Sequence, residues 1–207
     1  YDSYDNHKQL YDKLQSLPGF YDVIFMSGDE IRKRVDKGEL EKLTKTDVPN
    51  LGVTGEVLKE LVPLKYHGHF APYLIGLTGL AYRKDLVGGE VDSWESYFEP
   101  PRKLVNKIGI SSDFYVMMPI ALLSIGENPN CEDSKSLRKS SERLFNLFGR
   151  EFVGLISSNP ERIRKGLCSG DLAMAVMYSG DALRMMTENP KLPLCFSIPK
   201  EGGEVYL

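Results

Sequence analysis

One pattern occurs three times in this chain and constrains its fold more than any bulk property. A short apolar run leads into a small polar triplet ending in aspartate, and a helical stretch follows. The triplets are Ser27-Gly28-Asp29, Ser111-Ser112-Asp113 and Ser179-Gly180-Asp181. The runs before them are residues 21–26 (YDVIFM), 107–111 (KIGIS) and 171–177 (DLAMAVM). Short runs that are apolar and bounded by turn residues read as strands buried on both faces, the habit of parallel sheets. Strands alternating with helices give an α/β fold with a largely parallel sheet.

The helices this reading requires are present in the pattern. The first is expected from a cap at Ser3 or Asn6 to about Ser16, with Leu10, Leu14 and Leu17 on one face and Pro18-Gly19 as the stop. Others are expected over 30–37, 113–123 with a kink at Pro119, 134–147, 162–168 and 181–189. Leu137, Leu144, Phe145 and Phe148 form the apolar side of the 134–147 helix. Residues 44–62 read as polar turns around a short helix. Residues 70–82 are the most apolar long stretch, and Gly76 and Gly79 mark it as an extended segment that kinks. Residues 194–198 read as a strand and 199–203 as a turn. No repeat or low-complexity tract is visible.

Composition narrows the classes of function. The 207 residues are 42% hydrophobic and 27% charged, enough to bury a sizeable core. The net charge of −3, from 26 basic and 29 acidic residues, implies no basic face and no nucleic-acid partner. The three cysteines, Cys131, Cys168 and Cys195, make no CxxC pair and no disulfide framework. They read as free thiols, with any bridge between Cys168 and Cys195 decided by distance. No apolar stretch has the roughly 18 residues of a membrane span. His67 and His69 share a strand face, but no further metal ligands are grouped with them, so no metal site is expected. No GxGxxG, P-loop or GxSxG pattern occurs, and no cofactor or catalytic residue is expected.

In open α/β sheets the ligand crevice lies at the carboxyl ends of the strands, where helix N-termini also offer free N–H groups. The three aspartate triplets are the natural lining of such a site. Each aspartate also suits a plain structural role as a helix N-cap or a complement to the helix dipole. The carboxylates at 29, 113 and 181 argue for a cationic rather than an anionic ligand.

Further motifs carry a resemblance to a known family. Residues 4–14 (YDNHKQLYDKL), then Tyr21-Asp22-Val23-Ile24 and Ser27, form the first of these. Pro72-Tyr73 with Gly76 and Thr78, and Ser93-Trp94 before Tyr97-Phe98, form two more. Residues 108–113, Gly170-Asp171 to Gly180, and Pro199-Lys200-Glu201-Gly202-Gly203 complete the series. In this order and spacing, over nearly all of the chain, the sequence resembles the bacterial polyamine-binding proteins that serve ABC importers. The resemblance implies a two-lobed fold of the type II periplasmic-binding-protein kind, each lobe a mainly parallel sheet flanked by helices. It places lobe one at 1–76 plus 198–207, lobe two at 79–196, and crossovers near 76–79 and 196–199. It also implies that both ends of the parent protein are absent here, including a first strand and further ligand contacts.

The same resemblance implies a spermidine- or putrescine-like polycation held between the lobes and handed to a membrane ABC permease. The setting it implies is periplasmic or extracytoplasmic, with a lipid anchor as one option. Asp113 matches the family's central carboxylate and Ser27 a polar contact. Asp29 stands where relatives carry Tyr. Tyr178 and Tyr206 stand where they carry Trp walls, and Asp181 is a further candidate. Val116 departs from the pattern, because the family's second carboxylate in that helix falls there. That departure keeps open a same-fold receptor for another solute. An enzyme using Asp113 and Tyr178 as acid and base is a weaker alternative, and a folded core that binds nothing is another. Strand edges left unpaired at cut ends lead us to expect self-association.

Overall fold

The computed structural model describes residues 1–4, 7–50 and 62–206. The expected cap at Asn6 and most of the short helix expected within 44–62 lie outside these. The chain divides into two compact units, Tyr1–Pro72 and Tyr73–Leu207. Among the described residues no helix is long and apolar enough to cross a membrane.

The first unit holds α1 (His7–Ser16), α2 (Gly28–Asp36) and a 3-10 turn at Leu64–Tyr66. Both helices lie where the sequence placed them. Only Leu10 and Tyr66 are buried apolar side chains among its described residues, and Leu17 is exposed. The strand expected over 21–26 is absent, and Val23 and Phe25 are 79% and 61% exposed. A strand exists only as a member of a hydrogen-bonded ladder, and no described residue of this unit offers it an edge. The Phe25 carbonyl instead accepts from the Tyr4 hydroxyl at 2.5 Å.

The second unit is a six-stranded sheet with helices on both faces. Its elements run β1 (Gly76–Arg83), α3 (Lys84–Val87), α4 (Glu95–Phe98), β2 (Ile108–Ile110), α5 (Phe114–Leu123) and α6 (Ser134–Phe148). They continue with β3 (Val153–Ile156), α7 (Pro160–Ser169), β4 (Met174–Tyr178), α8 (Ser179–Glu188), β5 (Leu194–Ser197) and β6 (Val205–Tyr206). The strand order is β3-β2-β4-β1-β5, with β6 continuing along β1. The parallel and antiparallel pairings together make five of the six strands run in one direction, with β1 alone reversed. The expected parallel character therefore holds, with a single reversed strand between β4 and β5.

Alternation along the strands sorts the core into two layers. Leu80, Tyr82, Ile108, Ile110, Met174 and Val176 face α4, α5 and α6, where Trp94, Tyr97, Phe98 and Leu122 are fully or almost fully buried. Ala81, Ala175 and Met177 face α7 and α8, against Ile163, Leu167 and Met185. Cys195 packs in the first layer and Cys168 in the second, so the sheet separates them and all three cysteines are free thiols. On α6 it is Leu144 and Leu147 that bury, while Phe145 is 75% exposed. One residue along a helix turns the side chain by about 100°, so Phe145 leaves the stripe that Leu144 occupies. β3 was not anticipated, although its apolar run bounded by Ser157-Ser158-Asn159-Pro160 carries the same signal as the other three junctions.

The turn between β5 and β6 is anchored to the core through one carboxylate. Glu201 accepts from the Ser93 hydroxyl and, at 3.2 Å, from the Trp94 amide. The indole N–H of Trp94 donates to the Gly202 carbonyl at 2.8 Å, and Gly202 itself takes a left-handed φ of 102°. This turn delivers β6 to β1 in the register Gly76↔Tyr206 and Leu77↔Val205. A methyl group at position 76 would lie 2.0 Å from the Tyr206 hydroxyl. Glycine is therefore what lets the Tyr206 ring cross β1.

Three stability outcomes follow from this packing. Glu201→Ala removes the acceptor of two hydrogen bonds from a partly buried site and is expected to cost about 1–3 kcal/mol. Gly76→Ala is expected to cost about 1–3 kcal/mol by displacing the Tyr206 ring. Gly180→Ala, with nothing within 4 Å of the added methyl, should instead gain up to about 1 kcal/mol from helix propensity. Urea unfolding midpoints check all three, and equal effects at 76 and 180 would contradict the packing described.

Candidate functional site

The second unit carries a solvent-open cleft, with a cavity volume of about 70 Å³, at the carboxyl ends of its parallel strands. Asp113, Tyr178 and Asp181 line it, together with Thr78, Val116, Ser157 and Ser158. Tyr206 joins them through its ring, which meets Tyr178 edge to face at 4.6 Å and 62°. Four of the six residues singled out from the sequence are thus brought together in this unit. Ser27 and Asp29 lie in the first unit, at the start of α2.

Each junction builds its own part of the cleft. Asp113 is the N-cap of α5: its Oδ1 accepts from the Tyr115 amide at 2.9 Å, and its own amide donates to the Ser111 hydroxyl at 3.1 Å. The cap uses one carboxylate oxygen, and a carboxylate has two to offer. The structural and ligand-facing readings of Asp113 are therefore compatible. Asp181 sits in the first turn of α8, where burial pushes its carboxyl above the ordinary range against the pull of Arg184 and Arg164. Ser179, ahead of it, accepts from the Leu77 amide at 3.1 Å and so ties this junction to β1.

The phenol of Tyr178 is pushed well up, first by burial and then by Asp113, Glu204, Tyr206 and Asp181. Burial also raises the Tyr206 phenol, with the Ser179 hydroxyl beside it acting in the opposite sense. Both rings are neutral at physiological pH and stand in a negative field. Such a site favours a cation and can press an aromatic face against it. Val116 is buried and apolar in the cleft, so α5 supplies a single carboxylate.

In the first unit, the Ser27 hydroxyl is buried with no hydrogen-bond partner, and it does not cap α2. Asp29 is exposed and forms an ion pair with Arg32 one turn along. The histidine pair is turned to the backbone: His67 Nε2 meets the Val62 carbonyl at 2.8 Å and His69 Nδ1 the Leu40 carbonyl at 3.3 Å.

Sequence reasoning missed several residues here. Ser157 is buried, with its amide on the Ile110 carbonyl and its hydroxyl accepting from the Asn159 amide at 3.1 Å. Thr78 is completely buried at the cleft, and its hydroxyl has no partner. Glu204 is the third carboxylate near Tyr178. The Ser-Ser-Asn-Pro junction was readable as a fourth strand end. Thr78 and Glu204 emerge only from strand register.

Comparison with known proteins agrees with this fold. Residues 4–206 match the bacterial extracellular solute-binding protein family. The chain is 30% identical to the putrescine-binding periplasmic protein SpuD of Pseudomonas aeruginosa over 98% of its own length and 58% of that protein's. It is 29% identical to the spermidine/putrescine-binding periplasmic protein 1 of Haemophilus influenzae, over 99% of this chain and 56% of the other. The solved TpPotD lipoprotein of Treponema pallidum superposes with a TM-score of 0.84 at 23% identity, covering all of this chain and 64% of that one. The chain therefore spans less than two thirds of the length of each of these relatives. With the family matched across almost every residue and the fold shared, the chain belongs to the bacterial extracellular solute-binding proteins.

Proposed function

We propose that this chain captures a small polyamine cation of the spermidine or putrescine kind, outside the cytoplasmic membrane, for delivery to an ABC-type permease, and that it performs no chemistry on its ligand. The observation that carries this reading is the assembly of two carboxylates, Asp113 and Asp181, beside the paired rings of Tyr178 and Tyr206 in one cleft. A polyamine presents ammonium groups joined by methylenes. Carboxylates hold the former and aromatic faces the latter. A charge-assisted hydrogen bond contributes roughly 1.5–3 kcal/mol, and a desolvated cation–π contact about 0.5–2 kcal/mol. Relatives named for putrescine and spermidine support the ligand class. In this reading residues 1–76 with 198–207 form one lobe and 79–196 the other, with Ser27 and Asp29 contributed by the first. Hinge motion of such lobes is the usual device of binding proteins of this kind.

A second reading rests on Val116. An apolar residue at a cleft position where relatives are expected to carry a carboxylate suits a solute with fewer or differently spaced cationic groups.

Calorimetric titration with putrescine, spermidine and spermine separates the two readings. Binding at micromolar levels or tighter, weakened about tenfold to a hundredfold by Asp113→Asn, is the expected result. Absence of heat with all three amines would exclude the polyamine reading.

The raised carboxyl of Asp181 adds a pH dependence. Its folded pKa lies above the ordinary value, so it protonates earlier than a free aspartate as pH falls, and a cation then loses its counter-charge. Affinity is expected to fall as pH is lowered, starting above the ordinary aspartate range, and to fall less in Asp181→Asn. An identical pH profile in that variant would rule Asp181 out as a contact.

A further inference from the structure

The register of the sheet places a polar row beside the cleft. Thr78 on β1 pairs with Tyr178 on β4. On its other edge β1 pairs Gly76 with Tyr206 and Leu77 with Val205, and the Thr78 amide donates to the Glu204 carbonyl at 2.8 Å. That bond extends the antiparallel ladder one step, opposing Glu204 to Thr78. Directly opposed residues project from the same face, and residues two apart on a strand share it. Tyr178, Thr78 and Glu204 thus stand abreast on one face, with the Tyr206 ring beside them after crossing Gly76.

The middle member of this row has a vacant valence. The Thr78 hydroxyl is fully buried, lines the cleft and has no hydrogen-bond partner. Burying a hydroxyl without a partner is costly, and such a group in a native protein is commonly held for something that binds. Glu204 is partly buried.

We propose that Glu204 and Thr78 form a second cation subsite at this cleft, in which the carboxylate of Glu204 and the hydroxyl of Thr78 take N–H donors of one ligand ammonium group beside the Tyr178 and Tyr206 rings. The subsite supplies, from Glu204 just before β6, the negative charge that α5 lacks at Val116. It deepens the polyamine reading and rests on it. The negative field at the Tyr178 phenol, to which Glu204 contributes after Asp113, agrees with the same placement. An ammonium carries three donors, and a hydroxyl beside a carboxylate is a natural pair of acceptors for two of them.

The test is spermidine titration of this chain beside its Glu204→Gln and Thr78→Val variants, with Asp113→Asn as reference. Both new variants keep the shape of the side chain they replace. Each is expected to bind about tenfold or more weakly. Thr78→Val should also unfold at the same or higher temperature, because it removes an unsatisfied buried hydroxyl. A merely structural threonine would give the reverse: lower stability with unchanged affinity. If wild type binds spermidine, Asp113→Asn weakens it and Glu204→Gln matches wild type, this subsite is overturned while the polyamine reading stands. If wild type binds no polyamine at all, the reading falls and the subsite falls with it.

Discussion

The second unit depends on how one strand is held against its natural direction. β1 runs opposite to the other five strands, between β4 on one edge and β5 and β6 on the other. Nothing intrinsic to its sequence prefers that orientation. It is held by antiparallel ladders to β4 and β5, and the turn that adds β6 is held by Trp94. A fully buried indole donates to the Gly202 carbonyl, and Glu201 reaches back to Ser93 and to the Trp94 amide. The anchor uses charge-assisted bonds at the rim of an aromatic cluster in which Trp94, Tyr97 and Phe98 meet edge to face. Geometry at Tyr206, some distance along the chain, is inherited from it.

The cleft is made by the same forces that terminate strands and start helices. Asp113 and Asn159 each satisfy orphan amides at helix starts, at 2.9 Å in both cases. Such caps hold their side chains in fixed positions at no cost to a ligand. Burial then determines the electrostatic character of the cleft. Asp181 and the two tyrosine phenols are all shifted toward their neutral forms by burial as the first cause. A cation entering the cleft reverses that penalty for the carboxylate. Part of its binding energy is therefore the relief of a charge that the free protein holds unfavourably.

Much of this was legible in the residues. The α/β class, six helix positions and the gathering of Asp113 and Asp181 follow from local signals: apolar runs, capping triplets and glycine stops; Tyr178 was singled out by the family resemblance. What was not legible has two physical causes. The run at 21–26 has every local feature of a strand, but a strand is a property of pairs, and no partner edge is present among the described residues of its unit. Thr78 and Glu204 are unremarkable in sequence, because their meaning lies in which residue opposes which across β1. Phe145 illustrates a smaller limit. It sits beside Leu144 in sequence, and a rotation of one helical residue separates a buried position from an exposed one.

The departure at Val116 also fits this division between local and paired information. A carboxylate on α5 would project from the helix that Asp113 already caps, and both charges would then rest on one rigid element with a fixed spacing. Carboxylates distributed over a helix start, a second helix start and a strand edge are spaced instead by sheet register. Register changes only in whole steps, and a slip of one residue would turn Tyr206 and Glu204 to the opposite face. A site built this way is therefore specified by the Trp94 anchor as much as by its own residues. In the polyamine reading proposed above, selectivity among cations would be a matter of charge separation, with Val116, Ile163 and Met177 as the apolar floor beneath the methylene spacer.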